Sequence, residues 1–345
     1  MIPVRNIYYM LSYAFRSLSK GPFSVCLDEE FENTADLLAE IMIIGFNDQM
    51  RRGLLKTYRS YTEKTTTVSG KININRMIKE CPTSKEVVSE KDQLTEDSYC
   101  NRIVKTALSL LNISKISDKR RIRIKTILVI LQNVKTIKPK NIDWNLRINR
   151  SNESYVTLIS ISRFVIEGLI PSESSEGHKI NSFLDDQRLS RLFEKFILEY
   201  YKQEHPELKT ASRMIEWDLS DGDATFLPTM QSDIMLTRDD RTLILDAKYY
   251  GINMQEHFER RTIHSGNLYQ MFAYVKNQAA KGGTVSGLIL YAKTDSDIQP
   301  EGDYVIGGNR ILVRTLDLNL EFSKIAEQLD EIAHLLRTEI NISIH

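Results

Sequence analysis

The sequence is marked first by what it lacks. No run reaches the roughly 20 apolar residues that cross a membrane as a helix, and the first residues show no secretory signal layout. The three cysteines, Cys26, Cys81 and Cys100, are scattered and have no CxxC spacing, which argues against a zinc site or a disulfide framework. The six histidines form no HxxxH or HExxH pair. These absences favour a cytoplasmic protein with no membrane partner.

Signatures of nucleotide and acyl chemistry are absent as well. The sequence has no GxxxxGK(S/T) loop, so we expect the chain itself not to bind a nucleotide through a P-loop. It also has no GxGxxG fingerprint and no Ser-His-Asp elbow. The function must therefore rest on other residues.

The two halves of the chain differ in charge. The 345 residues have no net charge and are enough for two domains. Residues 1–150 hold 26 Lys and Arg against 16 Asp and Glu, a balance of +10, and the rest holds 20 against 30, a balance of −10. A loop at 139–145 precedes the change. We therefore predict an N-terminal domain over residues 1–152 and a C-terminal domain over residues 153–345.

The stretch 229–250 organises the C-terminal half. It reads as two short apolar strands, residues 230–236 and 242–249, joined by the polar turn 237–241. Side chains alternate between the two faces of a strand, so Asp246 and Lys248 share one face.

The predicted hairpin brings two carboxylates together. If it folds about Asp239 and Asp240, Asp233 falls opposite Asp246. Opposed like charges destabilise a sheet unless a positive charge lies between them. Two carboxylates and Lys248 around Mg²⁺ suit hydrolysis of a phosphodiester. The plain alternative is a surface strand with alternating charges, but the apolar run before Asp246 makes an unused charge costly.

Other elements predict an α/β fold with a central mixed sheet flanked by helices. Residues 185–202 form a helix in which Glu194 lies beside the apolar stripe. A helix over 267–278 carries Gln270 and Tyr274 on one face. A buried strand at 284–293, a strand at 311–315 and a helix at about 320–339 complete the domain.

The N-terminal half predicts a mixed α+β domain. Helices are expected at 36–46 and 96–111, with a β-hairpin or small β-unit at 54–74. The aromatic and basic residues of that β-unit could contact nucleic acid, dock a protein or simply fill strands. The basic run 119–125 reads as a solvated helix face, with contact to phosphate or to an acidic partner as the alternative.

Taken together, these motifs resemble a known family. The resemblance is carried by the blocks IPVRNIYYML, RRGL, GKI, NRI, LDAKYY and NLYQ, at residues 2–11, 51–54, 70–72, 101–103, 245–250 and 267–270. The chain resembles the McrC family, the nuclease subunits of McrBC restriction systems that act on modified cytosine. Its site residues resemble the PD-(D/E)xK nuclease pattern, with Ser232 in place of the proline before Asp233.

The resemblance implies a partner and a set of roles. McrC proteins associate with McrB, a hexameric AAA+ GTPase that binds the GTP, recognises double-stranded DNA containing modified cytosine and is stimulated by McrC. The N-terminal domain would dock on that ring and the C-terminal domain would cut. Asp233 and Asp246 would hold Mg²⁺, Lys248 would position water or stabilise phosphate, and Glu194 would be an auxiliary acid. Gln270 and Tyr274 would be accessory.

The uneven charge fits a nuclease with weak DNA affinity that a partner delivers to its substrate, because the candidate chemistry lies in the acidic half. Equally, basic and acidic surfaces could complement each other between domains. The alternative function is a non-catalytic adaptor that activates a ring-shaped NTPase in phage defence. A stand-alone nuclease is disfavoured by the acidic half.

Overall fold

A computed structural model describes residues 2–19, 21–27, 29–67, 70–80, 86–146, 153–169, 186–250, 254–257 and 260–336. Cys81 and the last residues of the helix expected at about 320–339 lie outside these ranges. The chain divides into two compact units. One, called here the sheet unit, combines Met1–Glu30 with Asn181–His345, and the other, the helical unit, is Phe31–Ile180.

The helices and strands are numbered in chain order. The helices are α1 (Val4–Ala14), α2 (Thr34–Arg52), α3 (Ile74–Glu80), α4 (Tyr99–Ile113), α5 (Asp118–Ile130), α6 (Glu153–Leu169), α7 (Asp186–Glu204), α8 (Ser265–Ala279) and α9 (Phe322–His334). The strands are β1 (Thr57–Thr65), β2 (Lys71–Ile72), β3 (Val87–Thr95), β4 (Lys209–Ala211), β5 (Met214–Ile215), β6 (Met230–Gln231), β7 (Ile234–Arg238), β8 (Arg241–Lys248), β9 (Met254–His257), β10 (Arg260–Ile263), β11 (Thr284–Ala292), β12 (Gly302–Ile306) and β13 (Asn309–Leu316).

The compact units differ from the division expected at residue 152. Helix α6 begins just after that point but packs on α2 and α4, so it lies within the helical unit. Helix α1 packs on α7, and Asn6 Nδ2 donates hydrogen bonds of 2.8 Å to the carbonyls of Leu318 and Leu320. The first thirty residues therefore belong to the sheet unit. Packing of apolar helix faces, which charge counts do not report, decides both assignments.

The sheet unit is built on a mixed six-stranded sheet, as predicted. Its strand order is β12-β13-β11-β8-β7-β4. Strands β8, β11 and β13 run parallel to one another. Strands β12 and β7 run antiparallel to these three, and β4 pairs antiparallel with β7. Ile244, Ile289 and Val313 pack in one core cluster with Met271 of α8. A Cβ on Gly287 would lie 2.5 Å from Met271 Sδ, so glycine at this position lets α8 approach β11 closely.

The predicted hairpin register is confirmed. β7 and β8 pair antiparallel from Ile234 opposite Leu245 to Arg238 opposite Arg241, which leaves Asp239 and Asp240 as the turn. Asp239 takes a positive φ of 55°, a conformation that aspartate tolerates in tight turns. The strand expected at 230–236 is interrupted, since β6 ends at Gln231 and pairs with β5 in a separate two-stranded sheet.

Pairing between distant segments was not foreseen in several places. β1 pairs along its length with β3 and not with β2, and β2 pairs on the other edge of β3. The small β-unit is therefore confirmed, but a hairpin within residues 54–74 is wrong. Strand β12 and the β9–β10 pair also went unpredicted.

The basic run 119–125 is not simply a solvated face. Arg120 is 5% exposed and forms ion pairs with Asp36 and Glu40 of α2, and Arg123 pairs with Glu40 as well. Arg121 donates to backbone carbonyls before α5, including that of Ser114 at 3.0 Å. The arginines of the run thus stabilise the helical unit, and its two lysines, at positions 119 and 125, are the exposed cations.

No helix within the described ranges has the length and apolarity needed to span a membrane.

Candidate active site

Asp246 is a buried carboxylate in the middle of the sheet. It lies on β8 between β7 and β11, next to Ile289 in the parallel ladder, and is 1% exposed. Lys248 Nζ lies 2.9 Å from each carboxylate oxygen and donates its hydrogen bond to Oδ1. Asp246 Oδ2 accepts no hydrogen bond from any described residue. A buried carboxylate oxygen that accepts no hydrogen bond, even with an ammonium group this close, is unusual and points to a ligand-binding role.

Asp233 lies beside this pair. It occupies the break between β6 and β7, and its Oδ2 accepts a 3.0 Å hydrogen bond from the backbone N–H of Ala247. That bond holds the half-buried carboxylate against the strand that carries Asp246 and Lys248. The structure thus brings together the three residues that hairpin geometry predicted.

The charges in the site do not balance. Burial, followed by the negative charge of Asp233, raises the pKa of Asp246 to about 7, although Lys248 opposes the shift. Burial alone would lower the pKa of Lys248, but Asp246 and Asp233 outweigh it and the net shift is upward. Lys248 is therefore protonated near neutral pH. A further positive charge is needed to keep Asp246 fully ionised.

Glu194 of α7 contributes a third acid to the surroundings. Burial, and then the charge of Asp233, raise the pKa of Glu194, while a hydrogen bond from Ser190 Oγ at 3.1 Å and the charge of Lys248 act in the opposite direction. The mutual influence of Glu194, Asp233 and Lys248 places all three in one electrostatic environment.

Gln270 and Tyr274 share a helix face, as predicted. Gln270 Nε2 donates a 2.8 Å hydrogen bond to Tyr274 Oη, and the tyrosine ring lies in the core cluster with Met271. Among the described contacts, neither residue is hydrogen bonded to Asp233, Asp246 or Lys248. Their accessory role stays a prediction.

Sequence reasoning missed a polar group next to Lys248. Tyr291 of β11 is the register partner of Lys248, and its hydroxyl accepts a 2.9 Å hydrogen bond from Asn267 Nδ2 at the start of α8. Tyr250 Oη donates to Asn267 Oδ1 at 3.3 Å. A signal was present, since Asn267 shares a helical face with the buried Met271 and Tyr274. A polar residue in an apolar stripe needs partners.

The residues present fit a magnesium ion. Among the described residues, no group of three or more His, Cys, Asp and Glu side chains is arranged to hold a metal. Mg²⁺ does not need such a group, because it commonly binds one or two carboxylates and keeps water and substrate phosphate as its other ligands. Asp233 and the Oδ2 of Asp246, which accepts no hydrogen bond from the described residues, supply those oxygen ligands.

The fold and site define a two-unit α/β protein with a candidate cation site at its central strand. Residues 5–292 match the family described as McrBC 5-methylcytosine restriction system component, and the chain belongs to this family. This match confirms the resemblance carried by the sequence motifs.

A curated relative and a solved structure extend the comparison. The chain is 28% identical over 341 residues to the type IV methyl-directed restriction enzyme EcoKMcrBC of Escherichia coli K12, covering 96% of this chain and 97% of the relative. It also resembles a chain of a refined half-complex of Thermococcus gammatolerans McrB AAA+ hexamers with bound McrC. The TM-score is 0.54 at 15% identity, over 96% of this chain and 76% of that chain. This second likeness concerns the fold alone.

Proposed function

We propose that the protein is the DNA endonuclease subunit of a GTP-dependent restriction complex specific for modified cytosine. The observation that carries the proposal is the buried Asp246, whose Oδ2 accepts no hydrogen bond from the described residues although the Lys248 ammonium lies 2.9 Å away and a second carboxylate, Asp233, lies beside it. An ion pair kept only for stability would satisfy both oxygens. The family of the chain and its restriction-enzyme relative support the same reading.

The geometry supports the following proposed roles. Asp233 and Asp246 would hold Mg²⁺, which when bound polarises the scissile phosphate and neutralises its charge. Although burial alone would lower the pKa of Lys248, Asp246 and Asp233 raise it, and Lys248 would donate to phosphate or position the attacking water. Burial and the charge of Asp233 raise the pKa of Glu194 towards neutral pH, and we assign it as the auxiliary acid of the site.

The assignment to the PD-(D/E)xK nucleases rests on the order of elements. Helix α7 precedes the antiparallel pair β7–β8, and α8 then leads into β11, which pairs parallel with β8. Asp246 lies on β8 and Asp233 immediately before β7. Glu194 lies on the helix before this pair of strands, and Gln270 and Tyr274 lie on the helix after it.

A hexameric AAA+ GTPase is the proposed partner. The structurally similar complex contains McrB AAA+ hexamers with bound McrC, and we infer that this chain associates with such a ring, stimulates its GTPase and leaves GTP binding to it. The helical unit offers a surface for docking. Edge strand β1 is exposed along almost its whole length, and Tyr58 is 74% exposed. Exposed edge strands readily take up further contacts.

The test reconstitutes cleavage with the partner GTPase, GTP, Mg²⁺ and methylated plasmid. Wild type should cut, and Lys248→Ala should cut about 10³-fold more slowly because the phosphate loses a charged donor. Lys293→Ala is a matched control, since Lys293 follows β11 and pairs with Asp317 at 2.6 Å in the same unit. All three proteins should stimulate GTP hydrolysis equally.

Each outcome of that test decides between functions. Equal cutting by wild type and Lys248→Ala would place the chemistry elsewhere and refute the site. If no protein cut while all stimulated GTP hydrolysis, the adaptor function would replace the nuclease.

A further inference from the structure

Asn267 is a buried amide that joins two tyrosines beside the candidate site. It is 8% exposed, its Nδ2 donates to Tyr291 Oη at 2.9 Å, and its Oδ1 accepts from Tyr250 Oη at 3.3 Å. Both tyrosines are placed close to Lys248 by the backbone. Tyr250 follows it by two residues, and Tyr291 is its partner in the parallel ladder.

Tyr291 lies on the face of the sheet that carries the acids. Directly paired residues of neighbouring strands project to the same side, so Tyr291 is next to Lys248 and Ile289 is next to Asp246. The ring of Tyr291 is fully buried and lies 6.2 Å from that of Tyr250. Burial is the largest cause of the upward shift in the pKa of the Tyr291 hydroxyl, while the charge of Asp246 also raises that pKa and the charge of Lys248 lowers it.

The hydrogen-bond inventory of Tyr291 is incomplete. A tyrosine hydroxyl can accept and also donate one hydrogen bond. Here Asn267 occupies the acceptor role, and the hydroxyl donates to none of the described groups. Burial raises the pKa of Tyr291 to about 12, so the hydroxyl keeps its hydrogen at neutral pH. A buried donor without an acceptor is costly unless a ligand supplies one.

We propose that Tyr291 donates its hydroxyl hydrogen to a non-bridging phosphate oxygen of bound DNA and that Asn267 is the positioning residue that aims it. This inference rests on the proposed nuclease function. The amide of Asn267 is suited to the task because its Nδ2 can only donate. That donor occupies a lone pair of the Tyr291 oxygen and leaves the hydroxyl hydrogen for the substrate.

Asn267→Asp is the informative variant because it reverses one hydrogen bond at almost constant shape. A carboxylate only accepts, so the substituted side chain would take the hydrogen of Tyr291 and turn it away from the substrate. Tyr291→Phe removes the same hydrogen directly. If Asn267 acts through Tyr291, either change makes the other redundant.

The experiment is a double-mutant cycle on steady-state cleavage by the full complex with the partner GTPase, GTP and Mg²⁺. Tyr291→Phe and Asn267→Asp should each lower kcat about 10- to 100-fold, since each removes a hydrogen bond to a charged oxygen. KM for DNA should stay within about twofold of the wild-type value. The double variant should keep at least about half of the kcat of either single variant. Mn²⁺ affinity, measured directly on the chain, should be unchanged, because neither residue is a metal ligand.

A matched control is Tyr201→Phe, which deletes a buried hydroxyl of the same unit whose bond goes to the carbonyl of Leu329 at 2.9 Å. It should keep the kcat of wild type. Full activity of Tyr291→Phe, or effects of the two changes that multiply, would overturn the inference while leaving the nuclease in place. A wild-type complex that fails to cut, or undiminished cutting by Lys248→Ala, would overturn the proposed function together with this inference.

Discussion

Two groups of buried charges, one in each unit, look similar but are satisfied differently. In the helical unit, Arg120 bridges Asp36 and Glu40, and its guanidinium lies 4.6 Å from the ring centroid of Phe31. The carboxylate oxygens of both acids there accept bonds from arginines of α5 or from the residue that precedes it. In the sheet unit, Asp246 meets a single lysine, which donates a hydrogen bond to Oδ1 and leaves Oδ2 with no hydrogen bond among the described residues.

The difference separates a structural ion network from a candidate site. Burying charge is costly, and the cost is offset when every lone pair finds a donor. The helical unit follows that rule. The sheet unit breaks it at Asp246, where burial and a neighbouring acid hold the pKa near 7. A buried acid whose pKa is strongly shifted by burial and a neighbouring acid is typical of functional sites.

The largest effect is expected from Asp246→Asn, which keeps the shape of the side chain and removes its charge. Cleavage by the complex should fall about 10³-fold or more, because the cation loses its buried ligand. Mn²⁺ binding to the chain, followed by electron paramagnetic resonance, should be lost as well. The control is Asp317→Asn. Asp317 follows β13 and forms an ion pair with Lys293, so this variant should cut normally. Retained Mn²⁺ binding by Asp246→Asn would remove the distinction between the two clusters.

Breaking the ion network of Arg120 in the helical unit should lower the stability of the protein. Arg120→Met leaves Asp36 and Glu40 without their shared partner, so the free energy of unfolding should fall by about 3–5 kcal/mol. Urea denaturation followed by circular dichroism measures the loss. Adding Asp36→Leu and Glu40→Met to that variant should restore much of the stability, since the buried charges are then gone. An Arg120→Met protein as stable as wild type would show that the network is dispensable.

A smaller effect is expected from pH. Because the pKa of Asp246 is about 7, a proton competes with the metal below that pH. Mn²⁺ affinity should therefore fall about tenfold for each pH unit below the pKa and level off above it. Titration calorimetry on both sides of neutral pH measures this dependence. An affinity that does not change with pH would mean that Asp246 is ionised throughout.

The smallest effect is expected at an exposed pair. Arg52 and Asp48 lie four residues apart on α2 at 3.0 Å, and the arginine side chain is 63% exposed. Arg52→Ala should change the free energy of unfolding by about 0.3–0.5 kcal/mol. The same urea assay reports it. If Arg52→Ala lowered the free energy of unfolding as much as Arg120→Met, solvent exposure would not determine how much an ion pair stabilises this protein.

Local patterns predicted the core of the candidate site. The two-residue turn at Asp239 and Asp240 and the alternation along β8 are properties of neighbouring residues, so register and the shared face of Asp246 and Lys248 followed from them. Helical spacing likewise placed Gln270 and Tyr274 on one face, and they are hydrogen bonded.

Long-range pairing accounts for what was missed. The sequence around Arg120 is strongly basic, and its partners Asp36 and Glu40 lie about eighty residues earlier, so nothing local distinguishes a buried arginine from a solvated one. The pairing of β1 with β3 depends on residues about thirty positions away. Tyr291 meets Asn267 only because β11 is parallel to β8 and α8 packs over both.

The most direct test is a crystal structure of the chain grown with Mn²⁺ and examined by anomalous scattering. One peak should lie between Asp233 and Asp246, at about 2.0–2.2 Å from Asp246 Oδ2, and it should vanish in Asp246→Asn. A peak at other residues, or no peak in a chain that cuts DNA with its partner, would contradict the assignment of these carboxylates as the metal site.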